Sequence, residues 1–384
     1  MSNISMDGLE CTNTSGPYCG IYDAGRIVDA IFLVILTVVG TVGNFLVIFS
    51  IICARRVNKN GNVFIINLAL ADLIVTGFFT PTVVANVIRT TNALSDTACD
   101  VAGYLVTVSC VCSASNLMSI AFNRYWAVVR QPTYNKVFTK RRIYLLAILN
   151  WVWANLLIMP TLLGWTHLEY GTGMMLCSYD NVSAPGYNAF VLILAIAFPI
   201  TAIVFFYWRL FSAVKKRGKV VKKMSSHTNS GLRNMEQRQL KKQLNLAKTL
   251  SIAVIAYVVS WTPYGILIIL PQDLVPPLAK RIASRLILTN SVVNFIIYGV
   301  MNPTYRKGYK RLLSFMFCCK TGKGKWKSEM DSSTTGQPST VRSRFKSRFM
   351  KSGESPGKSP SSVSRKGNFR SGTPSGSNDT LNAI

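Results

Sequence analysis

Histidine is almost missing from this 384-residue chain, which holds only His167 and His227. The hydropathy pattern places one in an external loop and the other in a basic cytosolic loop, so no His-based metal site or nucleophile can assemble. No other catalytic constellation appears, and an enzyme is not expected. Acidic residues are also scarce: 15 Asp and Glu stand against 43 Lys and Arg, a formal net charge of +28. Such a balance can serve nucleic acid binding, but here the basic residues flank long apolar runs. The charge is therefore read as electrostatics toward anionic inner-leaflet lipid and cytosolic partners, with no nucleic acid partner. Residues Met1 to Gly25 lack a basic region followed by an apolar core. No cleavable signal peptide is expected, and the first apolar helix serves as its own insertion signal. Internal repeats and paired broken helices, the marks of the common transporter folds, are absent as well.

What the chain does have is seven long apolar runs, near 28–53, 60–88, 97–130, 142–164, 187–214, 246–271 and 279–301. A helix of about 20 apolar residues crosses a hydrocarbon core roughly 30 Å thick. Lipid offers no hydrogen bonds to bare backbone, so each run is expected to be helical. The hydrophobic fraction of 49% fits one membrane bundle better than several soluble domains. Lys and Arg concentrate in alternate connections: Arg55, Arg56 and Lys59 in the first, Arg130, Lys136 and Lys140 to Arg142 in the third, Lys215 to Lys223 with Lys241 and Lys242 in the fifth. By the positive-inside rule these loops and the C-terminal tail are cytosolic and the N-terminus is outside.

Cysteines and sequons agree with that sidedness. Cys99 opens the third helix and Cys177 lies in the long loop after the fourth, both outside, where an oxidising environment permits a disulfide. Such a bridge would pin the loop across the bundle mouth. Cys11 and Cys19 share the external N-terminus and can pair with each other, whereas Cys53, Cys110 and Cys112 read as packed helix residues. Asn3, Asn13 and Asn181 begin external glycosylation sequons, and Asn378 begins one in the cytosolic tail that should stay unmodified.

Polar residues inside the runs carry the functional signal, because a charge at mid-membrane is costly and is expected to face the bundle interior. Asp72 is the clearest case, with Asn44, Ser113, Asn290, Ser291 and Asn294 at matching depths of other helices. A carboxylate among hydroxyls and amide oxygens suits a small hard cation such as an allosteric sodium ion. An interhelical hydrogen-bond network without an ion is the other reading, and either one brings these residues together. Asn123, Arg124 and Tyr125 close the third helix. Cys99 lies 25 residues before Arg124, about 37 Å at 1.5 Å per residue, so the two mark opposite faces of one rod. Pro263 follows Trp261 in the sixth helix and should kink it, giving the cytosolic half a place to swing. Pro199 and Tyr207 repeat that logic in the fifth, Trp151 and Pro160 mark the fourth, and Asn294 to Tyr298 close the seventh.

With these residues in place, the chain resembles the rhodopsin-like (class A) G-protein-coupled receptors over roughly residues 28–317. The positions matching that family's signatures are Asn44, Asp72, Arg124, Trp151, Pro199, Trp261, Pro263, Asn294 and Tyr298. It is most similar to the melatonin-receptor-like branch, through Gly61 to Phe64 leading into Leu68 to Asp72, the Asn-Arg-Tyr form at 123–125, Tyr134-Asn135-Lys136, and Asn294 to Tyr309. The departures are specific. Phe295 replaces the family's seventh-helix proline, Ser260 replaces the cysteine before Trp261, and Thr161 and Ala195 replace the polar residues with which melatonin receptors hold their ligand.

The resemblance implies an all-α membrane protein: an extracellular segment 1–27, a seven-transmembrane helix bundle over 28–301, a short amphipathic eighth helix over 302–319, and a disordered cytosolic tail over 320–384. Cys318 and Cys319 are palmitoylation candidates at the end of the amphipathic helix. The implied activity is binding of an extracellular small ligand and activation of a heterotrimeric G protein of the inhibitory class, with arrestin, receptor kinases and membrane lipids as further partners. Val106 stands where amine receptors carry an acid and Leu288 where opsins carry the retinal lysine, and Lys280 at the helix mouth is the only lysine in the seventh run. That argues against a monoamine and a covalent retinal. The expected pocket, around Trp261 with Cys110, Tyr179 and Tyr264, suits a lipophilic or flat ligand, a melatonin-like indole. Arg285, about two and a half turns outward of Asn294, and Arg89 at the end of the second helix allow an acidic lipid-like ligand instead if a guanidinium faces the pocket rather than lipid or a loop. Gln243 replaces the sixth-helix acid that often restrains the third-helix arginine, and Asn123 replaces the neighbouring carboxylate, so basal activity is expected. An ion-conducting or transporting membrane protein using Asp72 is the alternative.

Overall fold

The computed structural model describes residues 19–53, 61–180, 183–223, 230–272, 274–301, 306, 308 and 309. The apolar runs fold as helices: α1 (Cys19–Cys53), α2 (Asn62–Arg89), α3 (Asp96–Val129), α4 (Lys140–Thr161), α5 (Pro185–Val191, Leu192–Ala197 and Phe198–Lys223 in succession), α6 (Ser230–Leu267) and α7 (Pro277–Met301). Six of these are long and apolar enough to cross a membrane, and α6 adds the shorter apolar segment Ser251–Leu267. Large apolar side chains such as Ile31, Leu145, Trp208 and Ile255 lie on the outside, the reverse of a water-soluble surface and the expected lipid-facing one. α3 is the most buried span, with 78% of its apolar window inside the protein against 28% for α5. It packs on α2, α4 and α5, while α6 packs on α5 and α7, and α1 joins α2 to α7.

Helix ends follow local chemistry. Gly61 begins α2 at φ 76°, a left-handed conformation that glycine adopts without strain. Ser95 caps α3 by accepting from the Ala98 N–H, and Thr139 caps α4 by accepting from that of Arg142. The fourth run ends at Thr161 rather than 164, because Leu162 and Leu163 donate back into a tight turn after Pro160 and Gly164 turns left-handed at φ 85°. The sixth run ends at Leu267, short of 271, in turns that lead into Pro271, but its helix begins as far back as Ser230.

Two irregularities have no counterpart in the hydropathy pattern. α2 widens to a π turn over Ile74–Phe79, directly after Asp72 and before Pro81, and α5 does so over Leu192–Ala197, before Pro199. A proline has no N–H for the helical ladder, and one extra residue per turn absorbs the mismatch. Between α4 and α5 the chain forms an antiparallel hairpin, β1 (Leu168–Gly171) with β2 (Leu176–Tyr179), registered Tyr170 against Cys177. The Cys99–Cys177 disulfide ties β2 to α3, with Cα atoms 5.4 Å apart. A Cβ on Gly103 would come within 3.3 Å of the Cys177 backbone, so this glycine lets the hairpin lie on α3.

Cys11, the side chain of Cys19, the sequons at Asn3, Asn13 and Asn181, the side chain of Gln243, and Cys318 and Cys319 lie outside the described residues, as does nearly all of 302–384. Of the proposed eighth helix, Tyr309 donates to the Phe295 carbonyl at 3.4 Å, and Gly308 lies against Ser50 of α1.

Candidate functional site

Asp72 is fully buried, and its carboxylate is the hub of a polar cluster among α1, α2, α3 and α7. Ser113 Oγ donates to Oδ1 at 3.1 Å, Asn294 Nδ2 donates to Oδ2 at 3.0 Å, and the Ser291 hydroxyl is a further hydrogen-bond partner. Asn44 Nδ2 donates to the Ser291 and Gly40 carbonyls, each at 3.0 Å, which leaves its buried Oδ1 without a partner. Asn290 is buried but makes no hydrogen bond to Asp72 among the described residues. Of the six residues grouped from the sequence, Asp72, Asn44, Ser113, Ser291 and Asn294 therefore converge. An oxygen-rich site with one carboxylate and an unsatisfied amide oxygen fits a small monovalent cation by its donor set. Among the described residues no group of three His, Cys, Asp or Glu could hold a transition metal.

Toward the disulfide end lies an aromatic cluster. Trp261 meets Tyr264 edge to face at 6.3 Å and Tyr257 at 5.7 Å between ring centroids. Tyr264 Oη donates to Tyr179 Oη at 3.4 Å, and Tyr179 packs on the edge of Tyr187 at 5.2 Å. Burial in the hairpin pushes the Tyr179 phenol well above its usual range. Cys110 is half-buried against this cluster, and Val106 and Leu288 are buried in the neighbouring apolar cluster with Leu33, Val83 and Leu176. Two buried polar atoms here have no partner, Trp261 Nε1 and Ser109 Oγ. The Thr161 hydroxyl donates to the Ile158 carbonyl at 2.8 Å, which leaves it only an acceptor for a ligand. Ala195 is buried in the α5 π turn and has no polar atom in its side chain.

Of the directions left open for Arg285, into the pocket or toward lipid or a loop, the structure shows a paired guanidinium that reaches the hairpin loop. Its Nε and Nη2 donate to the two carboxylate oxygens of Asp29 on α1, both at 2.9 Å, and its Nη1 donates to the Met174 carbonyl at 3.0 Å and to Ser284 Oγ at 3.1 Å. The side chains are 7% and 11% exposed. Arg285 faces neither lipid nor an open pocket; it clamps α7 to α1 and to the hairpin turn. Arg89 is exposed at the end of α2. Sequence reasoning missed Asp29, which lies at the edge of the first apolar run. The signal was present: a buried arginine calls for a carboxylate at similar depth, and Asp29 is the acid that α1 supplies.

At the other end of α3, Arg124 is half-buried and in no ion pair among the described residues. Tyr207 of α5 lies within electrostatic reach of it, and Tyr298 of α7 is buried. Asn123 Nδ2 donates to Tyr134 Oη at 3.2 Å, in a two-turn helix Gln131–Val137 that follows α3. A Cβ on Gly61 would come within 2.6 Å of Asn123 Oδ1. Tyr125 packs on Phe206 at 5.6 Å. A further network escaped the sequence reading: Trp151 Nε1 donates to Asn67 Oδ1 at 2.8 Å, and Asn67 and Asn150 both donate to Asn116 Oδ1, at 2.9 and 3.0 Å. It ties α2, α3 and α4 with hydrogen bonds that lipid cannot replace.

A helical bundle with these polar positions defines a class. Residues 43–298 match the model of the seven-transmembrane receptor (rhodopsin family), and the chain belongs to that family, which makes it a receptor and not an enzyme. It is a multi-pass protein of the plasma membrane. Among its relatives, melatonin receptor type 1B-B of Danio rerio is 28% identical over 289 residues, 73% of this chain and 80% of the relative. Human melatonin receptor type 1B is 26% identical over 290 residues, 73% of this chain and 76% of the relative. Branchiostoma belcheri melanopsin is 28% identical over 341 residues, covering 82% of this chain, but the match spans only 48% of that relative. In fold, the crystal structure of squid rhodopsin superposes with a TM-score of 0.70 at 24% identity, over 83% of this chain and 93% of that one.

Proposed function

We propose that this chain is a G-protein-coupled receptor that binds a small ligand at its disulfide end, which faces outside, and activates a heterotrimeric G protein of the inhibitory class. The observation that carries this reading is the state of Arg124: it lies at the cytosolic end of the most buried helix, half-buried, in no ion pair among the described residues, with Tyr207 within reach. A ligand above Trp261 favours the arrangement in which the inner part of α6 swings about Pro263, and a cleft opens for a helix of the G protein. Arg124 then has donors to offer that partner, and with no restraining carboxylate the receptor has basal activity. Arrestin and receptor kinases would meet the same face and the tail.

Asp72 couples the two ends. Asp72, Ser113, Ser291 and the partnerless Asn44 Oδ1 would hold a sodium ion, which supplies a counter-charge to the buried carboxylate in the resting arrangement. Asn294 orients that carboxylate through its amide. The ligand is a melatonin-like indole or an acidic lipid-like molecule, and the relatives support the first. Against it, where the melatonin receptors hold their ligand Thr161 offers an acceptor but no free donor, and Ala195 offers no polar atom.

Arg124→Ala tests the reading. Surface expression and ligand binding should persist while nucleotide exchange on an inhibitory-class G protein falls to background, measured in membranes from cells expressing the chain. A variant that couples as well as the parent defeats it.

A further inference from the structure

Guanidinium groups gather at the disulfide ends of α1 and α7. Arg281 precedes Arg285 by four residues, so the two share one face of α7, one turn apart. Arg281 interacts electrostatically with Asp29, Arg285, Tyr170 and Arg26. Among the described side chains of this group Asp29 is the one carboxylate, and both its oxygens already serve Arg285. Arg281 is left half-buried beside like charge, with its Nε buried and in no hydrogen bond. A half-buried positive charge that stands beside Arg285 and Arg26 and shares one carboxylate with Arg285 is under-compensated, and an anion relieves it.

The surroundings say what kind of anion. Ile27 and Ile31 of α1, and Leu278 and Ile282 of α7, neighbour the basic residues in sequence and are 60, 55, 65 and 52% exposed, an apolar border beside the charge. The hairpin turn closes the group from above, with Gly173 against Lys280 and the Met174 carbonyl on Arg285. We propose that Arg281 is the headgroup site for an anionic amphiphile, a long-chain carboxylate or a lipid phosphate monoester, whose chain lies along the α1–α7 border. This rests on the receptor reading and names the acidic of its two ligand classes.

The test uses the purified full chain in nanodiscs of neutral phosphatidylcholine and reads melting temperature against probe concentration. Oleate and oleoyl lysophosphatidate distinguish carboxylate from phosphate, and saturable stabilisation by either supports the site. Monooleoylglycerol, with the same chain and no charge, and inorganic phosphate, with the charge and no chain, should stabilise far less. Arg281→Gln should weaken the apparent affinity about tenfold or more, and Arg281→Lys by less, because one charge-assisted hydrogen bond is lost in the first and a point charge remains in the second. Equal stabilisation by the neutral or the chainless probe, or unchanged affinity in Arg281→Gln, overturns the proposal. Binding is read without a G protein, so the two readings fail separately. A coupling-competent receptor with no preference for anions refutes this site alone, and anion binding by a chain that never couples refutes the receptor reading alone.

Discussion

The Asp29–Arg285 pair allows its own worth to be measured. Replacing Asp29 with Asn keeps the shape but removes the charge that two guanidinium donors meet at 2.9 Å. With side chains 11% and 7% exposed, water cannot take the carboxylate's place. Breaking a buried pair from one side leaves an uncompensated charge and costs about 3–5 kcal/mol. Replacing both partners with apolar residues of similar volume, Asp29→Leu with Arg285→Met, removes the desolvation penalty along with the attraction and should recover most of that loss. The Met174 carbonyl would still lose its donor, so recovery should fall short by about 1–3 kcal/mol. The assay is thermal unfolding of the purified chain followed by circular dichroism, with the parent, Asp29→Leu, Arg285→Met and the double variant forming a cycle beside Asp29→Asn. If Asp29→Asn melts with the parent, or the double variant is no more stable than Asp29→Asn, the pair is not the clamp described above.

Sodium should lower agonist affinity if the ion favours the resting arrangement, and Asp72→Asn should abolish that dependence; an unchanged sodium response in radioligand binding would sink the ion site. A Cβ on Gly43 would come within 2.3 Å of the Phe295 ring, so Gly43→Val should sharply reduce folded receptor at the cell surface, and adding Phe295→Ala should restore part of it; equal surface levels in all three chains would contradict the packing. Cys99→Ser opens a link across 78 residues of chain and should cost about 4 kcal/mol by loop entropy, read as a lower melting temperature that Cys177→Ser matches and the double variant does not worsen.

Much of this architecture was legible because membrane helices write themselves as runs, and the polar residues inside them announce where helices meet. Asp72, Ser113, Ser291 and Asn294 could be grouped from depth alone, since a lone carboxylate in an apolar span has few places to go. Asp29 was not, because it sits at the edge of its run, where a charge reads as solvated. Arg285 was visible, but its direction was not: only three-dimensional packing shows that α1 supplies its partner. The π turns of α2 and α5 change which face each later residue presents, and hydropathy has no term for one residue added to a turn. The hairpin between α4 and α5 was read only as a loop, for its two strands are four residues each and carry little alternation.

Phe295, where the wider family has proline, alters how the last helix can transmit a push. It has an N–H to give to the ladder, and α7 runs unbroken for 25 residues, about 37 Å of continuous rod. That rod is fastened to α1 at two heights, by Arg285 on Asp29 near one end and by Asn44 on the Ser291 carbonyl, with Phe295 seated on Gly43, in the middle. Two rods joined at two heights cannot pivot about each other, so α1 and α7 behave as a single strut. In the proposed activation, relative travel would then fall to α6, turning against that strut as a crank turns against its frame.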